Sequence, residues 1–242
     1  MKIVAKSDIG KLREQNQDAC AASELPGGVT WAVVCDGMGG AAGGSVASTV
    51  AVRIISEKIN SCFKQGMSTK SIHNMLISAI EVSNIAIYDM AKSDDTLTGM
   101  GTTVVTAVVI DNSVCIASAG DSRAYLATKQ ELKQITRDHS IVQVMVEKGE
   151  ITPEEAKDHP RKNIITRALG VDESISIDYY EEKISNDDIL LICTDGLTNF
   201  IENDEILNII GNNSYYDIAD KLIDFANQNG GGDNITVVTI SS

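Results

Sequence analysis

The 242-residue chain is short of basic residues: 20 Lys and Arg stand against 34 Asp and Glu, a formal net charge of −14. Such a surface repels nucleic-acid phosphates, whose neutralisation by Lys and Arg supplies most non-specific affinity, and it repels anionic membrane surfaces too. DNA, RNA and membranes are therefore not expected as partners. Proline is scarce, and three residues leave no room for a proline-rich linker; neither a repeat nor a low-complexity tract interrupts the chain. The start Met1-Lys2-Ile3-Val4-Ala5-Lys6 has no signal-peptide core, and no apolar run approaches the ~20 residues that cross a bilayer. The five cysteines, Cys20, Cys35, Cys62, Cys115 and Cys193, lie far apart, mostly inside apolar runs, and form no CxxC pair. That usage fits free thiols of a reducing compartment, so a cytoplasmic protein is expected. The three histidines, His73, His139 and His159, show no metal-ligand spacing and read as solvated or locally capping.

What is present suits one globular domain over residues 1–242, with 43% hydrophobic and 22% charged residues. Apolar, β-branched runs at 2–7, 30–35, 102–110, 113–118, 124–128, 189–193 and 235–240 predict strands. The runs 102–110 and 113–118 are joined only by Asp111-Asn112, which requires an antiparallel hairpin and argues against a purely parallel sheet. Apolar residues recur at three and four from Ala47 to Cys62, from Ile72 to Ile87 and from Ile218 to Ala226, which predicts amphipathic helices. Strands on both sides of helical blocks suggest sheet layers covered by helices. Between about 137 and 170 the pattern weakens into an excursion, with a short helix from Ile141 and another opening at Thr152-Pro153-Glu154-Glu155.

The chemistry sits at the strand ends. Asp36 follows one predicted strand, Asp121 another and Asp195 a third, while Asp233 precedes the last, and each has a glycine neighbour. A carboxylate just beyond a buried strand is held rigidly, and the glycine lets a carbonyl or ligand approach. Converging carboxylates without histidine or cysteine suit hard cations such as Mg²⁺ or Mn²⁺ and disfavour zinc. Asp-Gly is also the commonest turn dipeptide, and for any single pair the turn reading stands first; four strand-end cases move the balance toward a site. Cations would also resolve how an acidic protein attracts an anionic substrate.

Three further motifs were weighed. Gly37-Met38-Gly39-Gly40-Ala41-Ala42 matches a dinucleotide fingerprint, but the acid expected about twenty residues on, Glu57, lies in a helical pattern with no intervening strand. Arg13, close to Glu14 and Asp18, could grip phosphate oxygens bidentately or pair with those carboxylates on the surface. Ser45 misses the G-x-S-x-G elbow and reads as a helix N-cap.

Taken together, eight blocks resemble the metal-dependent protein serine/threonine phosphatases of type 2C in their compact bacterial form. They are Arg13-x-x-Asn16-x-Asp18, Val34-Cys35-Asp36-Gly37-Met38-Gly39-Gly40, Gly101-Thr102-Thr103, Gly120-Asp121-Ser122-Arg123, Thr136-Arg137-Asp138-His139-Ser140, Ile165-Thr166-Arg167-Ala168-Leu169-Gly170, Thr194-Asp195-Gly196-Leu197 and Gly232-Asp233-Asn234, in the family's order. The resemblance implies an α+β fold, a four-layer α-β-β-α sandwich of two antiparallel sheets, with a mobile flap at about 137–170 beside the cleft. It implies that Asp36 bridges two Mn²⁺ or Mg²⁺ ions, that the Gly37 carbonyl binds one, and that Asp195 and Asp233 bind the other. Asp121 would hold a weaker third ion, Asp18 would orient metal-bound water, and Arg13 would hold the phosphate. The implied reaction is hydrolysis of phosphoserine and phosphothreonine in proteins without a phosphoenzyme, opposing a Ser/Thr kinase, by a chain acting as a monomer. Met38 and Ala41 stand where relatives often carry a histidine with proton-transfer roles, which leaves metal-bound water as the general acid; Gly44 replaces a common glutamate, a change that bears on helix capping more than on catalysis. Two rival readings are a catalytically silent phosphoprotein-binding module on the same scaffold and a dinucleotide-dependent oxidoreductase.

Overall fold

The structure, a computed structural model, describes residues 1–241, with the side chains of Ala41 and Ala42 outside the described residues. The first sheet contains β2 (Asp18–Leu25), β3 (Val29–Met38), β5 (Val104–Ile110), β6 (Ser113–Ala119) and β9 (Asp178–Lys183) in that order, and the short β4 (Gly101–Thr102) pairs with β3. The second runs β1 (Lys2–Asp8), β11 (Ile235–Ser241), β10 (Ile189–Cys193), β7 (Arg123–Ala127) and β8 (Leu132–Gln134). Every pairing is antiparallel.

The period-two rule places the core. On β3, Ala32 and Val34, together with Val105 and Ile116 of their own sheet, face the other sheet and meet Leu190, Ile192 and Val238 there. The alternate residues Trp31, Val33 and Cys35 face α1 (Gly40–Cys62) and α2 (Thr69–Ser93), packing on Ile55, Ile59, Leu76 and Ile80. On the far side, Tyr125, Leu191 and Val237 pack on α5 (Asp195–Thr198), α6 (Asn203–Asn212) and α7 (Ile218–Gln228), through Leu197, Ile206 and Leu222. Central strands are thus covered on both faces, which is why they read as continuous apolar runs. Each buried Leu or Ile stabilises the fold by about 1.5–3 kcal/mol. The expected helix–sheet–sheet–helix layering is what the chain adopts.

Local differences have local causes. The expected strand at 102–110 is broken at Thr103, which turns to bond the main chain of Asp36 instead of continuing the ladder. The hairpin turns at Asp111, at φ 50°, as expected from Asp111-Asn112. Ser45 is not an N-cap: α1 begins after Gly39, at φ 111°, and Ser45 lies one turn inside it. The strands β2, β8 and β9 and the helices α5 and α6 were not anticipated. The excursion carries the two short helices expected, α3 (Ile141–Glu147) and α4 (Pro153–Lys157), and Thr152 and Glu155 form a reciprocal capping box at the second. Among the described residues, no helix is long and apolar enough to cross a membrane.

Candidate metal centre at the rim of the two sheets

Five elements bring acids to one rim. Asp18 opens β2 directly opposite Asp36 near the end of β3. Asp121 lies between β6 and β7, Asp195 opens α5 straight after β10, and Asp233 precedes β11. The main chain of Asp36 is fixed on both sides: its N–H donates to Thr103 Oγ1 (2.9 Å), and its carbonyl accepts from Thr102 Oγ1 (2.8 Å) and Thr103 N (2.9 Å). Asp18 Oδ2 accepts from Thr194 Oγ1 (2.8 Å) and Thr236 Oγ1 (2.7 Å), both in the other sheet's chain segments, while its buried Oδ1 has no partner. Asn234 donates to the carbonyls of Ile9 and Gln15 and accepts from Gln17 N, which ties the Arg13 loop to the Asp233 loop.

The electrostatics follow from this crowding. Burial, then the charges of Asp18, Asp195, Asp121 and Asp233, push the Asp36 carboxyl well above the usual carboxylate range. Burial and then Asp195 lift Asp121 to about 8. Burial lifts Asp18 to about 7 against the pull of its two threonine donors. Burial and Asp233 raise Asp195 as well. Without cations the cluster must hold protons to relieve its own repulsion.

Arg13 reaches this cluster but not by either route expected of a surface pair. It donates to Asp233 Oδ2 at 2.8 Å rather than to Glu14 or Asp18, and its side chain stays half exposed. Asp195 Oδ2 accepts from Asn199 Nδ2 at 2.9 Å. Gly37 is buried where a Cβ would run into the Gly44 and Gln17 carbonyls, and Gly196 where one would run into the Asn234 carbonyl. Only glycine permits these approaches. Met38 turns toward Gly101, and the side chain of Ala41 lies outside what the structure describes.

The excursion forms the opposite wall. It is rooted by the bridges Ser140↔Ile165 and Thr102↔Leu169. A groove of about 700 Å³ opens from Asp121 and Asp195 between Val142 and Ala156 on the excursion and Ile201 and Glu202 on the body. Of the histidines expected in solvated or local roles, His159 does accept from Arg161 N, and His73 packs edge-on against Tyr179. His139 is a correction: it is fully buried in a bonded network. Among the described residues, Arg167 of the flap donates to Asp178 Oδ1 at 2.7 Å and Arg161 to Met145 Sδ. Cys35, Cys115 and Cys193 are buried, Cys20 and Cys62 half-buried, and all are free.

The donor set fits a hard divalent cation. Its side-chain atoms are carboxylate oxygens, one of them buried and orphaned, and their repulsion demands positive charge. Among the described residues no group of three or more His, Cys, Asp or Glu side chains is arranged to hold an ion alone.

Comparison with known proteins bears on this site. The family profile for protein phosphatase 2C matches residues 11–235. The chain is 39% identical over 236 residues to the serine/threonine phosphatase stp of Listeria welshimeri, covering 97% of this chain and 93% of that protein. It superposes on the serine/threonine phosphatase of S. agalactiae with a TM-score of 0.93 at 33% identity, covering 100% and 99% of the two chains. A solved catalytic domain of the serine threonine protein phosphatase PstP, in complex with two manganese ions, matches with a TM-score of 0.85 at 31% identity, covering 98% and 96%.

Proposed function

We propose, from the premise that the chain belongs to the protein phosphatase 2C family and is a protein serine/threonine phosphatase, that the rim acids are its metal centre. The observation that carries this is the mutual repulsion of Asp18, Asp36, Asp121, Asp195 and Asp233 at one rim, an oxygen-only cluster that needs cations. In this reading Asp36, the Gly37 carbonyl, Asp195 and Asp233 would hold two Mn²⁺ or Mg²⁺ ions, and Asp121 would help to hold a weaker third. Such ions, when bound, would make a water acidic enough to be a nucleophile near neutral pH and would neutralise the phosphate dianion.

The chain's own residues do the rest. Arg13, half exposed on Asp233, is free to turn its guanidinium onto phosphate oxygens, and its planar fork suits that task. Asp18, with Oδ1 uncommitted, holds a proton acceptor beside Asp36 and orients the attacking water. The groove beyond Asp121 receives the polypeptide that flanks the phosphoresidue. The substrates are phosphoserine and phosphothreonine proteins, opposite a Ser/Thr kinase. The acidic charge argues against nucleic-acid and membrane partners. We place the enzyme in the cytoplasm as a monomeric, single-domain catalyst with the excursion as its flap.

The test is hydrolysis of a phosphothreonine peptide by metal-stripped protein as Mn²⁺ is restored. Activity should appear with Mn²⁺, and Asp36→Asn should lower it by on the order of a thousandfold, the loss of several kcal/mol of charge stabilisation. Full activity in Asp36→Asn, or in the stripped protein, would remove the cluster from the chemistry.

A further inference from the structure

The buried histidine of the Thr136-Arg137-Asp138-His139-Ser140 block has no part in the reading above, yet it touches the loop that carries Asp121. Its imidazole is fully buried. The Gly120 N–H donates to His139 Nδ1 at 3.0 Å, and the His139 N–H donates to the Gly120 carbonyl at 2.9 Å. One residue therefore grips both main-chain polar groups of Gly120, the residue immediately before Asp121. The other ring nitrogen, Nε2, lies 3.1 Å from Asp178 Oδ2 and 3.1 Å from Arg167 NH1. Because Nδ1 accepts, the neutral ring carries its proton on Nε2 and donates it to Asp178. Arg167 closes the triangle by donating to Asp178 Oδ1, and the His139 carbonyl accepts from Thr166 N at 2.7 Å.

On its inner side the gripped loop leans on the machinery that fixes Asp36. Gly120, at φ 112°, lies so close to Thr103 that a Cβ would meet its side chain at 2.6 Å. Thr103 Oγ1 accepts from Asp36 N and bonds Ser122 Oγ at 2.7 Å. The Gly120-Asp121-Ser122 loop is thus wedged between Thr103 and His139, and His139 in turn stands on Asp178 of β9 and Arg167 of the flap.

We propose that His139 is a positioning residue, a strut whose Nδ1 contact with Gly120 sets the Asp121 carboxylate for its cation. This rests on the reading of Asp121 as a metal ligand. Partners that orient metal ligands typically contribute about 10- to 100-fold to metal affinity.

The two ring nitrogens can be separated by substitution. Asparagine at 139 puts an amide oxygen near the place of Nδ1 and keeps an acceptor for Gly120. Glutamine puts its amide near the place of Nε2, keeping Asp178 and losing Gly120. Calorimetric titration with Mn²⁺ alone reads the consequence without turnover. His139→Gln should weaken the weakest binding event about tenfold, His139→Asn should stay within about threefold of wild type, and Asp121→Asn should abolish that event. A lost packing contact alone would lower the melting temperature of both histidine variants and leave both isotherms unchanged. An unchanged His139→Gln isotherm beside an altered Asp121→Asn one would overturn the strut. An unchanged Asp121→Asn isotherm would instead overturn Asp121 as a ligand. Should His139→Gln fail to fold, a tenfold loss in His139→Asn would overturn the strut, since its acceptor remains.

Discussion

The two walls of the cleft are held by different kinds of interaction. On the body side, Asp36 and Asp18 are fixed by threonine hydroxyls and main-chain groups drawn from both sheets. On the flap side, the middle of the segment is held by surface pairs. Lys157–Glu202 lies at 2.6 Å with both side chains more than half exposed, and Arg137–Glu147 is an ion pair within the flap. Exposed pairs contribute about 0–1 kcal/mol each, whereas a buried hydrogen-bonding group left unsatisfied costs about 1–3 kcal/mol. Near its two ends the flap shares the body's kind of attachment, through Ser140 with Ile165, Leu169 with Thr102, and His139 with Gly120. Chemistry is assigned to the wall that cannot shift, and contact with diverse polypeptides to the wall whose surface can be exchanged cheaply.

The contrast can be broken most forcefully at Gly196. Its added methyl would collide with the Asn234 carbonyl, so Gly196→Ala should push α5 off the Asp233 loop. A loss of about 2–3 kcal/mol in denaturant unfolding, as for other overpacked sites, should come with a collapse of Mn²⁺-dependent turnover. Normal stability and activity would show that the body wall is softer than described.

A smaller effect should sharpen the contrast by pH. Folding raises Asp18 to about 7 and Asp121 to about 8, so the metal-free native state binds protons that the unfolded chain has released. Stability from this source is present at low pH and is lost as pH rises toward 7–8. The melting temperature of stripped protein should fall between pH 5 and pH 8, and saturating Mn²⁺ should remove most of the fall. Asp18→Asn should flatten the metal-free curve. On the flap, Glu147, lowered to about 2 by the Arg137 guanidinium, does not titrate in that range.

The smallest change is expected at the flap surface. Lys157→Ala should alter stability by less than about 0.5 kcal/mol and leave hydrolysis of p-nitrophenyl phosphate unchanged, because the pair lies at the outer end of the groove. A large loss of turnover on that small substrate would erase the distinction between the walls.

The same contrast explains what could be read before the fold was known. The strand-end aspartates announced themselves through glycine neighbours and apolar runs, and the layer order followed from strands covered on both faces. The strand β2 was missed because Asp18–Leu25 has no β-branched residue, and β9 because Asp-Tyr-Tyr-Glu-Glu-Lys is largely polar on an outer edge. The hydroxyls that orient the acids, Thr103, Thr194 and Thr236, look in sequence like ordinary strand threonines. Asn234 acts through Gln17 and Ile9, 217 and 225 residues away, and His139 through Gly120 and Asp178, 19 and 39 residues away, and spacing carries no sign of either. The Arg13 contact with Asp233, 220 residues distant, was beyond reach for the same reason.

The hydroxyl of Thr236 that orients Asp18 has a consequence for when the enzyme exists at all. The two residues are 218 positions apart, and Thr194 is 176 positions from the same carboxylate. A chain emerging from the ribosome can pair β2 with β3 early, but the second hydroxyl that orients Asp18 arrives only with β11, the last strand of the chain. The site is therefore among the last parts of the molecule to be completed.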